Sequence, residues 1–372
     1  MLPSPRVAIQ RAPIDRFDPD GAGCPEGSIF GLPFAQDESS VVLLPVPWEA
    51  TVSYGRGTAQ GPQAIRAASA QLDLLDPGLL PHGLGQPWQW GIHLCEEDPQ
   101  IRALGEHASA LARPIIETGG VLGDDPRLHA ALAQVDAHGA RLDGWVRKRV
   151  EAVLATETIV GVVGGDHSVS LGAIEAHAAR WPGLGILHVD AHADLRVAYE
   201  GFERSHASVM HNVLERCEGV SRLVQVGVRD LSAAEYERSQ GDPRVITHLE
   251  GSMRDRMMGG TPYTEILREI IDALPQHVYV SFDIDGLDPA LCPSTGTPVP
   301  GGLSFVEAQA LLLAVVAGGR TIVGFDLVEV APSGRPGDEW DANVGARILY
   351  RLCGAALASR TARDDYGMQS NT

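Results

Sequence analysis

The sequence has no long apolar run, no paired cysteines and no nucleotide-binding motif, and each absence excludes a class of protein. No stretch of about 18 apolar residues is present to span a bilayer, and residues 1–23 lack the apolar segment of a secretory signal. The five cysteines are scattered and never form a CxxC pair, so we expect neither a disulfide framework nor a cysteine zinc site. No GxGxxG or P-loop pattern occurs. These absences favour a cytoplasmic protein.

Basic residues are also few. The 29 Lys and Arg residues stand against 48 Asp and Glu residues, which gives a formal net charge of −19. Such a charge argues against nucleic acid and anionic membranes as partners, and it is compatible with a small cationic substrate. With 372 residues and an apolar content of 44%, the chain is long enough for one large α/β domain or two small ones.

The distribution of apolar, Pro-rich and Gly-rich stretches indicates a single domain. The predicted parts are an N-terminal extension at 1–38, the domain at 39–360 with an elaborated segment at about 74–140, and a polar tail at 361–372. From residue 142 onward, short apolar runs alternate with helical patterns. This alternation predicts an α/β fold of three layers, α/β/α, with a mostly parallel central sheet. In such a sheet the ligand sites lie past the carboxyl ends of the strands.

The same patterns predict where the strands and helices lie. Strands are expected at 41–44, 158–163, 184–189, 223–228, 245–248, 278–282 and 321–327. Helices are expected at 61–66, 100–111, 127–132, 142–156, 170–180, 206–217, 263–274, 305–317 and 344–358. Three of these strands run directly into short segments rich in His and Asp.

The middle segment carries Asp190, His192 and Asp194 at two-residue spacing after the apolar run 184–189. Residues two apart in an extended chain point to the same side and lie roughly 6.5 Å apart, so these side chains converge. Two acids and a histidine pressed together would repel and desolvate badly without a cation. His188 is expected to point to the opposite face of the strand and to be packed.

The other two segments supply further ligands. His167 follows the strand at 158–163, and Asp283 and Asp285 repeat the two-residue spacing after the strand at 278–282. Four carboxylates and two imidazoles are too many for one tetrahedral zinc ion. They suit two divalent ions about 3.5–4 Å apart that share bridging carboxylates. The sulfur-free set of oxygen and nitrogen donors favours Mn²⁺ and tolerates Ni²⁺, Co²⁺ or Fe²⁺.

Taken together, three motifs resemble the signatures of the ureohydrolase (arginase/agmatinase) family. They are GGDHS at 164–168, DAHAD at 190–194 and SFDIDGLDP at 281–289, in this order and at these spacings. Members of this family hydrolyse guanidino or related groups, usually releasing urea, at a binuclear manganese centre, or a nickel centre in some. The resemblance covers roughly residues 40–355 and implies an arginase-like fold.

The resemblance also implies a role for each motif residue. One ion would be held by His167, Asp190, Asp194 and Asp283, and the other by Asp190, His192, Asp283 and Asp285. Asp190 and Asp283 would bridge the ions. His206 matches the proton-shuttling histidine of the family, and Glu329 matches the glutamate that grips the guanidinium. Asp194, besides being a ligand, could accept a hydrogen bond from the attacking water or from the departing nitrogen.

The substrate is harder to predict. Arg196 stands where amino-acid-binding members carry a polar residue, usually Asn, so a true arginase is disfavoured. Arg196 could receive a substrate carboxylate, or it could pair with Glu200 or Glu203. The flanking stretches, which include 46–55 and 337–341, are similar to guanidine hydrolases and related small-guanidine enzymes, which tend to use nickel.

Trp340 follows Glu329 by eleven residues, so both are expected near one pocket mouth. There its ring could cap a small cation by a cation–π contact, or it could simply pack under the last helix.

The sequence therefore predicts a hydrolase with two Ni²⁺ or Mn²⁺ ions per subunit. It would cleave a C–N bond of a small guanidino compound (guanidine, an alkylguanidine or a biguanide). An agmatinase or a guanidinobutyrase is the alternative, and a non-catalytic partner subunit is a further one. The resemblance also implies a homo-oligomer, a trimer or hexamer, while a hetero-oligomer with a homologous chain is a second arrangement to consider.

Overall fold

The computed structural model describes residues 12–21, 23 and 27–361, and in this part of the chain eight strands form one sheet. The strands are β1 (Val41–Val46), β2 (Ile92–Leu94), β3 (Ile159–Gly164), β4 (Leu184–Val189), β5 (Val220–Val226), β6 (Val245–His248), β7 (His277–Asp283) and β8 (Thr321–Val328). Their spatial order is β2-β1-β3-β8-β7-β4-β5-β6, and every pair is parallel. The predicted parallel sheet is confirmed.

Ten α-helices accompany the sheet in the described residues. They are α1 (Gly61–Ser69), α2 (Pro99–Glu117), α3 (Pro126–Leu154), α4 (Ser170–Arg180), α5 (Val209–Arg216), α6 (Ala233–Gly241), α7 (Glu250–Met258), α8 (Tyr263–Ala273), α9 (Phe305–Ala317) and α10 (Trp340–Thr361). Asp98 and Asp125 begin α2 and α3, where each side chain accepts a backbone N–H and a proline follows. None of the helices in this part of the chain is long and apolar enough to cross a bilayer.

Alternate residues of each central strand bury opposite faces of the sheet, which produces the three layers. On β1, Val41 and Leu43 join the core beneath α1, α8, α9 and α10, whereas Val42 and Leu44 join the core beneath α3, α4 and α5. Because both faces are covered, these strands are buried throughout, and their sequences show no alternation of apolar and polar residues.

The predicted elements differ from the structure in three places. The helices expected at 127–132 and 142–156 are one continuous α3, because Val135, Gly139 and Leu142 keep a helical spacing of buried positions between them. The helices α6 and α7 were missed since both are polar and bury few side chains. The strand β2 was missed because three residues are too short to form a recognisable apolar run.

The predicted terminal segments are only partly visible. Residues 1–11, 22 and 24–26 of the predicted extension and residues 362–372 of the predicted tail lie outside the described residues. Within the extension, Ile29, Phe30, Leu32 and Phe34 are buried in the core beneath α1 and α10. This part of the extension therefore packs as an integral piece of the domain.

Candidate metal centre

The predicted metal ligands and Glu329 lie at the carboxyl ends of four neighbouring strands, β3, β8, β7 and β4. His167 begins a short 3₁₀ helix just after β3, Asp190 follows β4, Asp283 ends β7 and Glu329 follows β8. Parallel strands place these ends at one edge of the sheet, so residues far apart in sequence are brought together. All four side chains are buried.

A first cluster forms around the Nδ1 atom of His167. This atom lies 3.1 Å from Oδ2 of Asp190, 3.1 Å from Oδ2 of Asp194 and 3.2 Å from Oδ2 of Asp283. Adjacent donors around an octahedral ion with bonds of about 2.1 Å lie about 3.0 Å apart. Each of the three carboxylate oxygens therefore lies at the distance from Nδ1 that neighbouring ligands of one ion have.

A second cluster lies beside the first and shares Asp190 with it. Nδ1 of His192 is 3.3 Å from Oδ1 of Asp190 and 3.1 Å from Oδ2 of Asp285. Asp190 thus directs one oxygen to each cluster, which is the arrangement that a bridging carboxylate needs. Asp283 contacts the first cluster through Oδ2. Its other oxygen, Oδ1, accepts the backbone N–H of Asp285 at 2.8 Å.

The hydrogen bonds of His167 test whether these residues fit a cation. Its Nε2–H donates to the hydroxyl of Ser281 at 2.9 Å, and that hydroxyl donates to Asp326 at 3.0 and 3.1 Å. In the neutral imidazole the lone pair of His167 therefore sits on Nδ1, which is buried and has no hydrogen-bond partner among the described residues. A lone pair directed at three carboxylates is unfavourable without a cation between them, so the donor set fits a divalent ion.

The protein itself concentrates negative charge at this buried position. Burial raises the pKa of Asp283 well above its usual value, and the neighbouring Asp285 and Asp190 raise it further. Burial, with the charge of Asp190, also raises the pKa of Asp194 to about 6. Such shifts at the carboxyl ends of strands are typical of functional sites, and a bound cation would oppose them by favouring the charged carboxylates.

His188 is also part of the site, so the prediction that it points away and packs was wrong. Its Nε2–H donates to Oδ2 of Asp190 at 2.8 Å, and its Nδ1 accepts from the side-chain amide of Gln225 at 3.0 Å. The amide oxygen of Gln225 in turn accepts from Thr247 at 2.8 Å. The error was one of counting, because His188 precedes Asp190 by two residues and therefore shares its face.

Two site residues have backbone conformations that side chains other than glycine rarely adopt. Asp194 has φ of +53° and Glu329 has φ of +62°. The backbone N–H of Glu329 donates to Gly165 and its carbonyl accepts from Thr295, both at 2.8 Å, while Oε1 accepts the backbone N–H of His167 at 2.8 Å. Local strain held by the surroundings in this way is concentrated at functional sites.

A cavity of about 280 Å³ opens beside the second cluster. Its wall includes the predicted ligands His192 and Asp194 and the predicted proton carrier His206. Burial lowers the pKa of His206 to about 4, so its imidazole is neutral at pH 7. The structure therefore places a neutral base in the cavity, next to the clusters.

The two residues predicted with a substrate-binding role have different surroundings. Arg196 lines the cavity, lies 3.5 Å from the buried carboxylate of Glu235 and covers the ring of Tyr199 at 5.2 Å, so it pairs with neither glutamate of the following loop. Trp340 is 49% exposed, donates its indole N–H to Ala290 and is not part of the cavity wall. This placement does not support the predicted cap over a small cation.

Sequence reasoning missed Asp230, which also lines the cavity. Its backbone N–H donates to the carbonyl of Ala191 at 3.0 Å, which fixes it beside His192. The side chain is exposed, and no described residue pairs with it. The available signal was its position two residues beyond the strand predicted at 223–228, at the same edge of the sheet.

The fold and the two clusters together define a hydrolase with the donor set of a binuclear metal site. The sequence model of the arginase family matches residues 39–354, and the chain belongs to this family. The predicted resemblance is therefore confirmed. So is the prediction of a hydrolase that acts on C–N bonds of linear amidines.

Relatives agree with this assignment over most of the chain. An N(1)-aminopropylagmatine ureohydrolase of Thermus thermophilus is 35% identical over 323 residues, which is 86% of this chain and 90% of that protein. Proclavaminate amidinohydrolase of Streptomyces clavuligerus is 31% identical over 332 residues, again 86% and 90%. The crystal structure of agmatine ureohydrolase of Thermoplasma volcanium has a TM-score of 0.66 at 23% identity, covering 89% of this chain and 94% of that one. This likeness confirms the predicted arginase-like α/β fold.

Proposed function

We propose that the protein hydrolyses the guanidino group of a compound that also carries a distal amine, releasing urea and a second amine. Agmatine and its aminopropyl derivative are the representative substrates. The observation that carries this proposal is the unpaired carboxylate of Asp230 in the cavity beside the clusters.

The charges of the cavity favour a cationic tail. The cation of Arg196 is matched by Glu235, so the carboxylate of Asp230 remains as an unbalanced negative charge in the wall. A distal ammonium would complement this charge, whereas the carboxylate of guanidinobutyrate would meet repulsion. The same reasoning disfavours the carboxylate end of arginine.

The size of the cavity also supports an extended substrate. Its volume of about 280 Å³ is close to the lower end of small-molecule sites, about 300 Å³, and is generous for the four non-hydrogen atoms of guanidine. Trp340 lies outside the wall and does not shorten the space. The relative from Thermus thermophilus, named for its action on an aminopropylagmatine, is consistent with this choice. Guanidine and its alkyl derivatives remain the competing substrates, as the flanking motifs predict.

Two divalent ions, Mn²⁺ or Ni²⁺, fit the two clusters. The first would be held by His167, Asp190, Asp194 and Asp283, and the second by Asp190, His192 and Asp285, with Asp283 as a predicted second bridge. Such ions, when bound, lower the pKa of water so that hydroxide is available at neutral pH.

Glu329 is the residue that would grip the guanidinium. Its Oε1 is occupied by the backbone N–H of His167, which orients the carboxylate and leaves Oε2 as an acceptor. A Cβ at Gly296 would lie 3.2 Å from Oε2, so the glycine keeps this oxygen clear of a side chain, while Glu329 itself is not part of the cavity wall. A carboxylate can accept charge-assisted hydrogen bonds from the N–H groups of a guanidinium, which fixes its orientation.

His206 and Asp194 would move and hold the protons. A neutral imidazole at His206 can take up a proton at a ring nitrogen and deliver it to the departing amine, which leaves only when protonated. Asp194 faces the same cavity and can accept a hydrogen bond from the departing nitrogen.

The test is urea release by enzyme loaded separately with Mn²⁺ and Ni²⁺. The substrates are agmatine, aminopropylagmatine, guanidinobutyrate, arginine, guanidine, methylguanidine and metformin. We expect the highest kcat/KM for the substrates with a distal amine, and about two ions per chain by elemental analysis. A preference for guanidine would refute the role of Asp230, and a single bound ion per chain would refute the binuclear site.

A further inference from the structure

We propose that the hairpin formed by α2 and α3 positions His206, by holding the loop at 199–205 that precedes it. This hairpin includes much of the elaborated segment for which the sequence predicts no role. The loop leads from the residues after β4 to the short 3₁₀ helix His206–Ser208, whose first backbone N–H groups are capped by Ser205. The kinetic part of the test rests on the proposed function of His206.

An apolar anchor holds the middle of the loop. Phe202 is fully buried in a small core whose other members are Ala112 and Ile115 of α2 and Val135 of α3. This core contains no strand residue and is separate from the two cores that cover the sheet. The hairpin therefore buries its own apolar face against the loop, and a shift of Phe202 would expose that face.

A polar anchor holds the next two residues. One carboxylate oxygen of Asp136 accepts the backbone N–H of Glu203 at 3.1 Å and that of Arg204 at 3.2 Å. Seven residues further along α3, and so on the same face, the buried carboxylate of Asp143 accepts the side-chain Nε–H of Arg204 at 3.0 Å. The backbone and the side chain of the loop are thus fixed by one helix face.

Gly139 lies between these two acids and makes the contact close. A Cβ at this position would lie 2.9 Å from both Cβ and Cδ of Arg204. Glycine is unfavourable inside a helix, so its presence here is explained by the need for the loop to pass at this distance. Gly144, in the same helix, has nothing within 4 Å of the corresponding position and carries no such constraint.

The residues held by the apolar and polar anchors precede His206 by only two to four positions in the sequence. The anchors hold 202, 203 and 204, and the next residues are Ser205 and His206, whose ring meets the edge of Tyr199 with ring centroids 6.0 Å apart. None of the anchoring side chains lines the cavity or belongs to either metal cluster. They are positioning residues, which act on the reaction through the placement of His206.

Two matched pairs of variants test this inference in the metal-loaded enzyme. Gly139→Ala adds a methyl group against Arg204, whereas Gly144→Ala adds one to open space in the same helix. Asp136→Ala removes the acceptor for two backbone N–H groups, whereas Asp136→Asn keeps a carbonyl oxygen there. We expect Gly139→Ala and Asp136→Ala to lower kcat for agmatine about 10- to 100-fold with little change in KM, and their partners to stay near the wild type.

Metal content and hydrogen–deuterium exchange give readouts that do not depend on turnover. In Gly139→Ala and Asp136→Ala we expect the ion content of the wild type, with faster exchange confined to about 199–208. Equal losses in Gly139→Ala and Gly144→Ala, loss of metal in step with activity, or unchanged exchange in the loop would each overturn the inference. Faster loop exchange in an enzyme inactive on every guanidino compound would instead refute the proposed function.

Discussion

Replacing Asp230 by Asn should lower kcat/KM for a substrate with a cationic tail and leave kcat/KM for guanidine, which has no tail, nearly unchanged. The change keeps the size of the side chain and removes the unpaired charge of the cavity wall. Two charges about 4 Å apart attract by about 1 kcal/mol in water and about 4 kcal/mol at an effective dielectric constant of about 20. Because the Asp230 side chain is exposed, we expect the lost attraction for the substrate ammonium to be near the lower value, about 1–2 kcal/mol. This corresponds to about a 5- to 30-fold fall in kcat/KM for agmatine.

The measurement is kcat/KM for agmatine and for guanidine, in the wild type and in Asp230→Asn. Guanidine has no tail, so its kcat/KM should hardly change. Asp272→Asn, which removes an exposed charge from α8, is the control for the change in net charge. The effect on agmatine should shrink as the salt concentration rises from about 0.05 M to about 0.5 M, since exposed charges are screened.

Two results would show the reasoning to be wrong. Equal losses for agmatine and guanidine would mean that Asp230 acts on the reacting centre through the neighbouring His192. No loss for either substrate would mean that the tail does not reach Asp230. In either case the cationic tail would lose its structural support.

Three further outcomes can be checked on the same protein. Asp283→Asn should lose both bound metal and activity, and retention of two ions would contradict its place in the first cluster. His188→Leu, which removes the hydrogen bond to Asp190, should weaken metal affinity about 10- to 100-fold in a chelator titration. Burial lowers the pKa of His177 to about 4, so its contribution to stability is full above about pH 6.5 and falls by up to about 3 kcal/mol toward pH 4. Urea unfolding at several pH values should show this fall, and His177→Gln should reduce it.

Much of the site was predictable because extended spacing and parallel topology are simple rules. Two-residue spacing indicated that Asp190 converges with Asp194 and Asp283 with Asp285, and the alternation of strands and helices predicted where these pairs would meet. The same spacing applied from the correct residue would also have included His188. The ligand roles themselves, the cytoplasmic location and the oligomeric assembly stay predictions.

The remaining features depend on distances that sequence separation does not determine. Trp340 follows Glu329 by eleven residues, yet its indole N–H donates to Ala290 and the residue is not part of the cavity wall. Asp230 belongs to an ordinary Arg-Asp pair after a strand, and only the structure shows that Arg229 is occupied by backbone carbonyls while Asp230 remains unpaired. Polar helices such as α6 lack the apolar periodicity that would have revealed them.

The order of strands in the sheet also determines when the site can form during synthesis. β3, which leads to His167, pairs with β8, and β4, which leads to Asp190, pairs with β7. β3 and β4 therefore cannot complete their pairing until the later strands β7 and β8 have been synthesised. The first cluster also needs Asp283 and the second needs Asp285, so neither is complete before these residues have left the ribosome. Such long-range parallel pairings are slow to form, and ions that bind only the finished site stabilise the whole sheet by mass action. Ions bound at the finished site would then prolong the lifetime of the newly made protein, in addition to supporting its activity.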